Sequence, residues 1–238
     1  MPESTYHVNV GSELMEVYSS LPSGDGPFPA MIVIMNAFGL VDFTKAMCDR
    51  LAAEGYAAFA PDLFHSISDE LAQSKNMTKR ELMDDAQIIA DVSAAVESVK
   101  NSPDVRSDKL GITGFCCGGR IAWLMAAVSS EFKAVVPYYG GNLFVPWGDG
   151  TVPPFDMAID INCPILFHFG AEDNNPSQED MLVLDKKLSE LSKDYKFYSY
   201  PDAGHAFMDF NDTGRYNQRA SDMSWPRTLD FLAEHLKG

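Results

Sequence analysis

The sequence predicts an α/β fold: a single domain with a mostly parallel central sheet and helices on both of its faces. Three observations lead to this fold class. Short apolar runs alternate with helix-like segments along most of the 238 residues. Residues 30–35 are continuously apolar, as in a strand that is buried on both faces. No repeat, low-complexity tract or linker divides the chain, so we expect one domain over residues 1–238.

The elements follow from periodicity and from turn residues. Residues 6–10 and 14–20 alternate apolar and polar side chains around Gly11 and Ser12, which predicts an antiparallel hairpin. Further strands are predicted at 30–35, 56–60, 109–113, 133–138, 164–170 and 196–200. Helices are predicted at 44–53, 79–100, 120–129, 179–191 and 225–236. Residues 65–78 are predicted to be an irregular surface excursion, and the Gly- and Pro-rich residues 140–163 a long loop or a small flap.

The composition excludes several classes of protein. A formal net charge of −16 disfavours nucleic acid and anionic membrane surfaces as partners. We find no apolar run long enough to span a membrane and no secretory pattern in residues 1–10, so we expect a cytoplasmic protein. The four cysteines have the spacing of neither a zinc site nor a disulfide framework, and neither a metal nor a cofactor is expected.

The glycine-rich stretch 114–119 is the strongest candidate for chemistry. It joins a predicted strand to a predicted helix with the pattern Gly-x-Cys-x-Gly, which is typical of a nucleophile elbow with cysteine in place of serine. Cys116 has glycines two residues before and after it, whereas Cys117 does not. Cys116 is therefore the candidate nucleophile, and Cys117 would contribute its backbone N–H. The alternative is that Cys116 is a small buried hydrophobe in a turn without chemistry.

Two further strand ends supply the partners that a thiol needs. Asp173 follows the strand 164–170 and His205 follows the strand 196–200. The chain order nucleophile, acid, histidine is the order of α/β-hydrolase triads. His205 would take the thiol proton, and Asp173 would hold the imidazole and stabilise its cation. The backbone N–H groups of Ala37 and Cys117 would bind the developing oxyanion.

Other acids and histidines near these strand ends carry alternative interpretations. Glu172 and Asp202 neighbour the candidate acid and the candidate histidine, and they rank below Asp173 as the acid of a triad. His168 lies within a strand run, so we expect it to be a buried structural residue, and we expect the same of His65.

Several motifs together resemble the dienelactone hydrolase (carboxymethylenebutenolidase) family. They are Gly-Phe-Cys-Cys-Gly-Gly at 114–119, His-Phe-Gly-Ala-Glu-Asp at 168–173, Tyr-Pro-Asp-Ala-Gly-His-Ala-Phe at 200–207 and Trp-Pro-Arg-Thr-Leu-Asp-Phe at 225–231. The resemblance covers residues 17–236 or so. It implies an α/β-hydrolase fold without a large cap domain, a triad of Cys116, Asp173 and His205, and hydrolysis of a small lactone or ester.

Two positions depart from the family pattern. Asn36 stands where the family has a glutamate that engages the thiol, and residues 206–209 lack the arginine that receives the substrate carboxylate. We expect a resting enzyme with more thiolate, because Asn36 brings no negative charge beside the sulfur. We also expect poorer binding of acidic substrates. The residues expected to contact substrate or tune the thiol are Asn36, Phe38, Tyr139 and Phe207.

The sequence leaves alternatives to hydrolysis open. One is a non-catalytic member of the family that binds a small molecule, and another is a thiol acyltransferase or peptidase. Hydrolysis and acyl transfer share an acyl-enzyme and differ only in the acceptor. The sequence also leaves open the natural substrate and whether the chain forms a homodimer.

Overall fold

The computed structural model describes residues 3–238, so the first two residues of the N-terminal stretch, where no secretory signal is expected, lie outside the described part. One sheet contains eight strands in the order β1-β2-β4-β3-β5-β6-β7-β8. The strands are β1 (Glu3–Val10), β2 (Glu13–Ser20), β3 (Phe28–Ile34), β4 (Ala57–Pro61), β5 (Val105–Phe115), β6 (Phe132–Tyr138), β7 (Ile165–Gly170) and β8 (Tyr195–Tyr200). The strand β2 pairs antiparallel with β1 and β4, and every other pair is parallel. The predicted fold class is confirmed.

Helices cover both faces of this sheet. They are α1 (Asp42–Ala53), α2 (Asp69–Lys75), α3 (Asp85–Lys100), α4 (Cys117–Val128), α5 (Gln178–Glu190) and α6 (Gln218–Leu232). The strand β3 shows why two layers form: Ile32 and Ile34 belong to one buried cluster, with residues of α3, α4 and α5, while Met31 and Val33 belong to the other, with residues of α1 and α6. Across residues 3–238, no helix combines the length and the apolar character needed to cross a membrane.

Three predicted segments need correction. The surface excursion 65–78 contains α2, whose first turn is capped by the side chain of Ser68. The helix predicted from residue 79 begins at Asp85, because Asp84 caps it and Arg80–Leu82 form a short 3₁₀ turn before it. The closing helix begins at Gln218, seven residues before the predicted start, and Asn217 caps it.

The segment 140–163 is a loop that ends in a short 3₁₀ helix, Asp156–Asp160, and buried contacts hold it in place. Arg120 on α4 is fully buried and forms two hydrogen bonds with Asp85, of 2.6 and 3.0 Å. Its guanidinium also donates to the carbonyl oxygens of Asn142 and Val145 and lies 3.9 Å from the ring centroid of Trp147. The loop is therefore fixed to α4 and to the start of α3.

Candidate active site

The turn between β5 and α4 has the conformation of a nucleophile elbow. Cys116 has φ 60° and ψ −122°, a region that residues with a side chain rarely occupy. Its backbone N–H donates to the carbonyl oxygen of Tyr138 at 3.1 Å, which ties the turn to β6. The side chain of Cys116 is partly exposed. Such a conformation costs about 1–3 kcal/mol and is found mainly at functional sites.

The glycines around Cys116 are required by close backbone contacts. A Cβ on Gly114 would overlap the backbone of Gly118, and a Cβ on Gly118 would lie 2.5 Å from the carbonyl oxygen of Ile34. A Cβ on Gly119 would lie 2.8 Å from the Cα of Gly140. The start of α4 therefore packs directly on the ends of β3 and β6, and this packing holds the sulfur at the carboxyl edge of the sheet.

The histidine and the acid expected from the sequence form a hydrogen-bonded pair. His205 Nδ1 lies 2.9 Å from Asp173 Oδ2. The other oxygen of Asp173 accepts the N–H of Asn175 at 2.8 Å, and the Asp173 side chain is 2% exposed. The carboxylate thus has a fixed orientation toward the imidazole. In the described part of the chain, His205 forms an ion pair with Asp173 and with neither Glu172 nor Asp202, both of which are exposed.

The electrostatics of the site favour a charged pair of sulfur and imidazole. A hydrogen bond from the Cys117 side chain, and then His205, hold the pKa of Cys116 well below its ordinary value, against the opposing effect of burial. Burial opposes the imidazolium, but hydrogen bonds with Asp173 and Cys116 together raise the pKa of His205 to about 10. At neutral pH this arrangement favours a thiolate beside an imidazolium.

The side chain of Cys117 has a role that the sequence reasoning missed. Its thiol is buried, and the negative sulfur of Cys116 raises the pKa of Cys117 well above the ordinary value. Cys117 therefore stays protonated; its Sγ lies 3.9 Å from the carbonyl oxygen of Met35, so its S–H has that acceptor as well as the Cys116 sulfur. The backbone N–H of Cys117 also lowers the pKa of Cys116. The two adjacent cysteines in the sequence could have indicated this contact, but the sequence reasoning considered only the backbone N–H of Cys117.

The loop after β3 contains Asn36 and Ala37. The side chain of Asn36 is buried; its Oδ1 accepts the N–H of Phe38 at 2.9 Å, and its Nδ2 donates to Asp209 Oδ2 at 3.4 Å. Gly39 closes the turn with φ 93° and donates to the carbonyl oxygen of Asn36. The carboxamide thus shapes the loop that carries Ala37. Asp209 is a buried partner of Asn36 that the sequence reasoning did not identify.

Three aromatic residues expected at the site differ in position. The ring of Tyr139 lies edge-on to the imidazole of His205 at 5.2 Å, with φ 39° at its own backbone. The hydroxyl of Tyr139 is buried and has no hydrogen-bond partner among residues 3–238. Phe207 is fully buried behind Tyr139, with ring centroids 5.1 Å apart. Phe38 is 66% exposed.

His168 and His65 lie elsewhere, as expected of structural residues. His168 is completely buried between the hydroxyls of Tyr200 and Thr228, at 2.8 and 3.0 Å. Burial lowers the pKa of His168 to about 3, so its ring is neutral. The side chain of His65 is buried against Asp91, with 3.0 Å between Nε2 and Oδ1.

Two cavities are lined by residues expected at the site. One, of about 270 Å³, is lined by Asp173, His205 and the neighbouring residues 172–175. The other, of about 650 Å³, is lined by Phe38, Asp209 and the first turn of α1. Among residues 3–238 there is no cluster of three or more His, Cys, Asp or Glu side chains that could hold a metal ion.

Comparison with known proteins identifies relatives along nearly the whole chain. The model of the Dienelactone hydrolase family matches residues 15–236. The "Putative carboxymethylenebutenolidase" of Escherichia coli K12 is 34% identical over 228 residues, which is 93% of this chain and 83% of that protein. The "Probable 2-oxo-3-(5-oxofuran-2-ylidene)propanoate lactonase" of Bradyrhizobium sp. is 33% identical over 236 residues, covering 97% of this chain and 94% of that protein.

Solved structures show the same fold. The crystal structure of the "Putative Dienelactone Hydrolase" from Klebsiella pneumoniae superposes with a TM-score of 0.85 at 30% identity, over 98% of this chain and all of that chain. A dienelactone hydrolase-like promiscuous phosphotriesterase from metagenomic libraries superposes with a TM-score of 0.83, over 98% of both chains. At 23% identity, this second similarity concerns the fold alone.

Proposed function

Because this chain belongs to the dienelactone hydrolase family and is an ester or lactone hydrolase, we propose that it works through a thiol nucleophile, with Cys116, His205 and Asp173 as its triad. The family and its relatives supply the reaction class. The assignment of the triad rests on one observation above all: the 2.9 Å pair of His205 and Asp173 beside a thiol held on a strained turn. The pKa of that thiol is lowered first by the Cys117 side chain and then by His205.

In the first half of the reaction, the Cys116 thiolate attacks the carbonyl carbon of the substrate and forms a carbon–sulfur bond. The carbonyl oxygen becomes an oxyanion, and the backbone N–H groups of Cys117 and Ala37 donate to it. When the tetrahedral intermediate collapses, the bond to the leaving oxygen breaks. The His205 imidazolium gives its proton to that oxygen, which stays in the same molecule when a lactone ring opens.

In the second half, the neutral imidazole of His205 takes a proton from water. The resulting hydroxide attacks the thioester carbon, and the carbon–sulfur bond breaks. The acid product leaves, and the thiolate and the imidazolium are restored. Asp173 holds the Nδ1–H of His205 throughout, so that Nε2 faces the reacting atoms and the cation that forms is stabilised.

A burst assay tests the nucleophile. Mixing the protein with 4-nitrophenyl acetate should release a burst of nitrophenolate stoichiometric with enzyme, followed by slower turnover. The Cys116→Ala variant should lose both phases. Cys163→Ala is the matched control: Cys163 is a half-buried free cysteine after the 3₁₀ helix 156–160, so its variant should keep the wild-type burst. A full burst in Cys116→Ala would refute the assignment and support a non-catalytic thiol.

The charges around the site favour a neutral substrate. Asp209 and Asp42 line the 650 Å³ cavity beside Phe38. Arg120 is occupied by Asp85, and Arg215 forms an ion pair with Asp212. A carboxylate on the substrate would therefore meet like charge on that side of the site. We propose that the substrate is a small neutral lactone or ester.

A matched pair of substrates tests this charge preference. A neutral ester should have a kcat/KM about tenfold above that of its analogue with a free carboxylate, the equivalent of about 1.4 kcal/mol. Arg80 provides a matched variant, because its positive charge lowers the pKa of Cys117 and its side chain is a third exposed. Arg80→Gln should lower kcat/KM for the acidic substrate and leave kcat/KM for the neutral substrate unchanged. A higher kcat/KM for the acid in the wild type would contradict the proposal.

We place this activity in the cytoplasm. All four cysteines are free, and a nucleophilic thiolate needs a reducing compartment to stay active. The proposed partner is the small-molecule substrate itself.

A further inference from the structure

Asn175 connects the loop that carries the proposed acid to the segment 140–163. It lies between β7 and α5, two residues after Asp173. Its backbone N–H donates to Asp173 Oδ1 at 2.8 Å, and its side-chain Oδ1 accepts the backbone N–H of Asn142 at 2.9 Å. One residue therefore contacts the acid through its backbone and a separate loop through its side chain.

Asn142 is itself held from the other side. Its carbonyl oxygen accepts from Arg120 Nε at 3.1 Å, and its backbone is left-handed, with φ 54°. Arg120 is fully buried and paired with Asp85, and a buried charge is strongly destabilising without its partner, so the guanidinium is a fixed point for this peptide. The N–H that Asn142 offers to Asn175 therefore has a fixed direction.

The two loops approach each other so closely that no side chain fits between them. A Cβ on Gly141 would overlap Asn175 Oδ1 and would lie 2.6 Å from the carbonyl oxygen of Asn175. Any residue other than glycine at position 141 would push the two loops apart. The contact between them therefore depends on a hydrogen bond and on the absence of a Cβ at the same place.

Asp173 needs a donor at each of its oxygens. Oδ2 faces His205 Nδ1 at 2.9 Å, and Oδ1 accepts the N–H of Asn175. The Asp173 side chain is 2% exposed, so an oxygen that lost its donor would be a buried acceptor without a partner. A carboxylate that turned to find a new donor would move both oxygens, because they are rigidly connected. The position of the Asn175 N–H thus sets the orientation of the carboxylate toward His205.

We propose that Asn175 is a positioning residue of the active site, which acts through Asp173, and that residues 140–147 support it. This role depends on the proposed function, because Asn175 acts on a member of the triad. Through Asn142, the buried Arg120 of α4 also fixes the acid loop. Since α4 begins directly after the nucleophile, the nucleophile and the acid share one buried anchor although they follow different strands.

Variants on both loops test this role. Asn175→Ala removes the side-chain acceptor and keeps the backbone N–H. It should lower kcat/KM on 4-nitrophenyl acetate by about two- to tenfold, the range that one net hydrogen bond represents. Gly141→Ala breaks the same contact from the opposite loop and should lower kcat/KM at least as much. Asn175→Asp keeps an acceptor oxygen at the same place and should restore most of the lost activity.

Asn162→Ala is the matched control. Asn162 is an exposed asparagine at the far end of the segment 140–163, and its side chain donates to the carbonyl oxygen of Asp160 at 2.8 Å. This variant also loses one hydrogen bond between an asparagine side chain and the backbone, but it loses no contact with the acid loop. Its kcat/KM should equal that of wild type.

The pH dependence of alkylation separates positioning from a general loss of structure. Burial opposes the imidazolium of His205, and the hydrogen bond with Asp173 contributes most to raising the pKa of His205. After the Cys117 side chain, His205 is the next group that lowers the pKa of Cys116. A misplaced carboxylate should therefore raise the pH midpoint for alkylation of Cys116 by iodoacetamide. We expect a rise of about half a unit in Asn175→Ala, a larger rise in Asp173→Ala and no rise in Asn175→Asp.

Wild-type kcat/KM and a wild-type midpoint in Asn175→Ala would overturn the proposal, because the turn 173–175 would then hold the carboxylate without the second loop. Lower activity with an unchanged midpoint would overturn it too, since a loosened cavity wall acts on activity alone. If Gly141→Ala does not fold, Asn175→Ala and Asn175→Asp decide. Wild-type activity in Asp173→Ala would refute the triad itself, whereas low activity there beside an unchanged Asn175→Ala refutes only the positioning role.

Discussion

Two histidines, one within β7 and one after the neighbouring β8, have opposite properties. His168 on β7 is completely buried between two hydroxyls, and its pKa falls to about 3. His205, after β8, keeps 26% of its side chain exposed, contacts a carboxylate and a thiolate, and its pKa rises to about 10. Burial disfavours the cation at both positions, and only His205 has negative partners that outweigh it.

The comparison shows that the charge of the partner decides the role of each ring. A neutral imidazole between hydroxyls has its hydrogen bonds satisfied and no proton to exchange at neutral pH, so His168 contributes to packing. An imidazolium beside a thiolate is prepared for proton transfer. The following predictions test this difference.

The largest expected effect is on activity. Cys116→Ala and His205→Ala should each lower kcat/KM by on the order of 10⁴-fold or more, and the double variant should be little worse, because residues that act as a unit are not additive. Asp173→Ala should also lower kcat/KM, and His168→Ala should leave it within a few fold in folded protein. Steady-state kinetics on 4-nitrophenyl acetate checks this. A double variant far worse than either single one would show that the two residues act separately.

On stability, by contrast, the large effect is expected at His168. His168→Ala should lower the free energy of unfolding by about 2–4 kcal/mol, because it leaves a cavity and removes a partner from the hydroxyls of Tyr200 and Thr228. Urea denaturation measures it. His7→Ala is the control: His7 is exposed on β1, and its loss should change stability by no more than about 0.5 kcal/mol. A loss equal to that of His7→Ala would mean that the buried network does not stabilise the fold.

The pH dependence of stability should follow the sign of each shift. The ordinary pKa of histidine is 6.5, and that of folded His168 is about 3. The stability due to neutral His168 is therefore fully present above pH 6.5 and is lost as pH falls from 6.5 toward 3. Over that range, wild type should lose stability faster than His168→Gln by up to about 1.4 kcal/mol per pH unit.

His205 should act in the opposite direction. Its contribution is present below pH 6.5 and is lost as pH rises toward 10. Urea titrations at one-unit pH intervals compare wild type with His168→Gln and with His7→Gln. The His7→Gln variant controls for the loss of a histidine at an exposed position on β1. Parallel curves for wild type and His168→Gln between pH 6 and 4 would refute the neutral state assigned to His168.

A smaller effect concerns the donor beside the nucleophile. The rate of alkylation of Cys116 by iodoacetamide should have its pH midpoint below the free-thiol value of about 8.5. Cys117→Ala should raise the midpoint by about one unit, because one hydrogen bond to a charged group is lost. Cys117→Ser keeps a donor and should leave the midpoint nearly unchanged. Equal midpoints in the alanine and serine variants would show that the Cys117 side chain does not act on the sulfur.

Asn36→Glu sharpens the same measurement. A carboxylate at position 36 would raise the midpoint by repulsion. The carboxamide of Asn36 bonds to Phe38 and Asp209, so we expect a smaller rise than in Cys117→Ala. An unchanged midpoint would mean that Asn36 only shapes its loop.

The sequence was sufficient for the sheet because buried strands have a local pattern. Apolar runs such as 30–35 and 133–138 are continuous, and the glycine and proline residues beside them mark the turns. The helix starts were harder to predict. The closing helix was predicted from residue 225, but its first turns are polar, and it runs from a cap at Asn217 through Pro226.

In the candidate site, too, the sequence identified the residues that lie in local motifs and missed the contacts between distant residues. Cys116, Asp173 and His205 each follow a strand within a recognisable motif, so their positions along the chain were enough to select them. The link between Asn36 and Asp209 joins residues 173 positions apart, and Arg120 reaches a loop 22 positions away. Such contacts depend on how separate elements pack, and no local pattern reports them.

The left-handed backbone of Cys116 has a consequence for how this chain can change over generations. Glycine would occupy φ 60° and ψ −122° without the steric cost of a Cβ, so replacing Cys116 by glycine would relieve about 1–3 kcal/mol of backbone strain, partly offset by the greater freedom of glycine in the unfolded chain. In a gene copy that is no longer selected for catalysis, the single substitution Cys116→Gly would therefore remove this backbone strain. Under the proposed function, the strain at Cys116 is a cost in stability that the reactivity of its sulfur offsets.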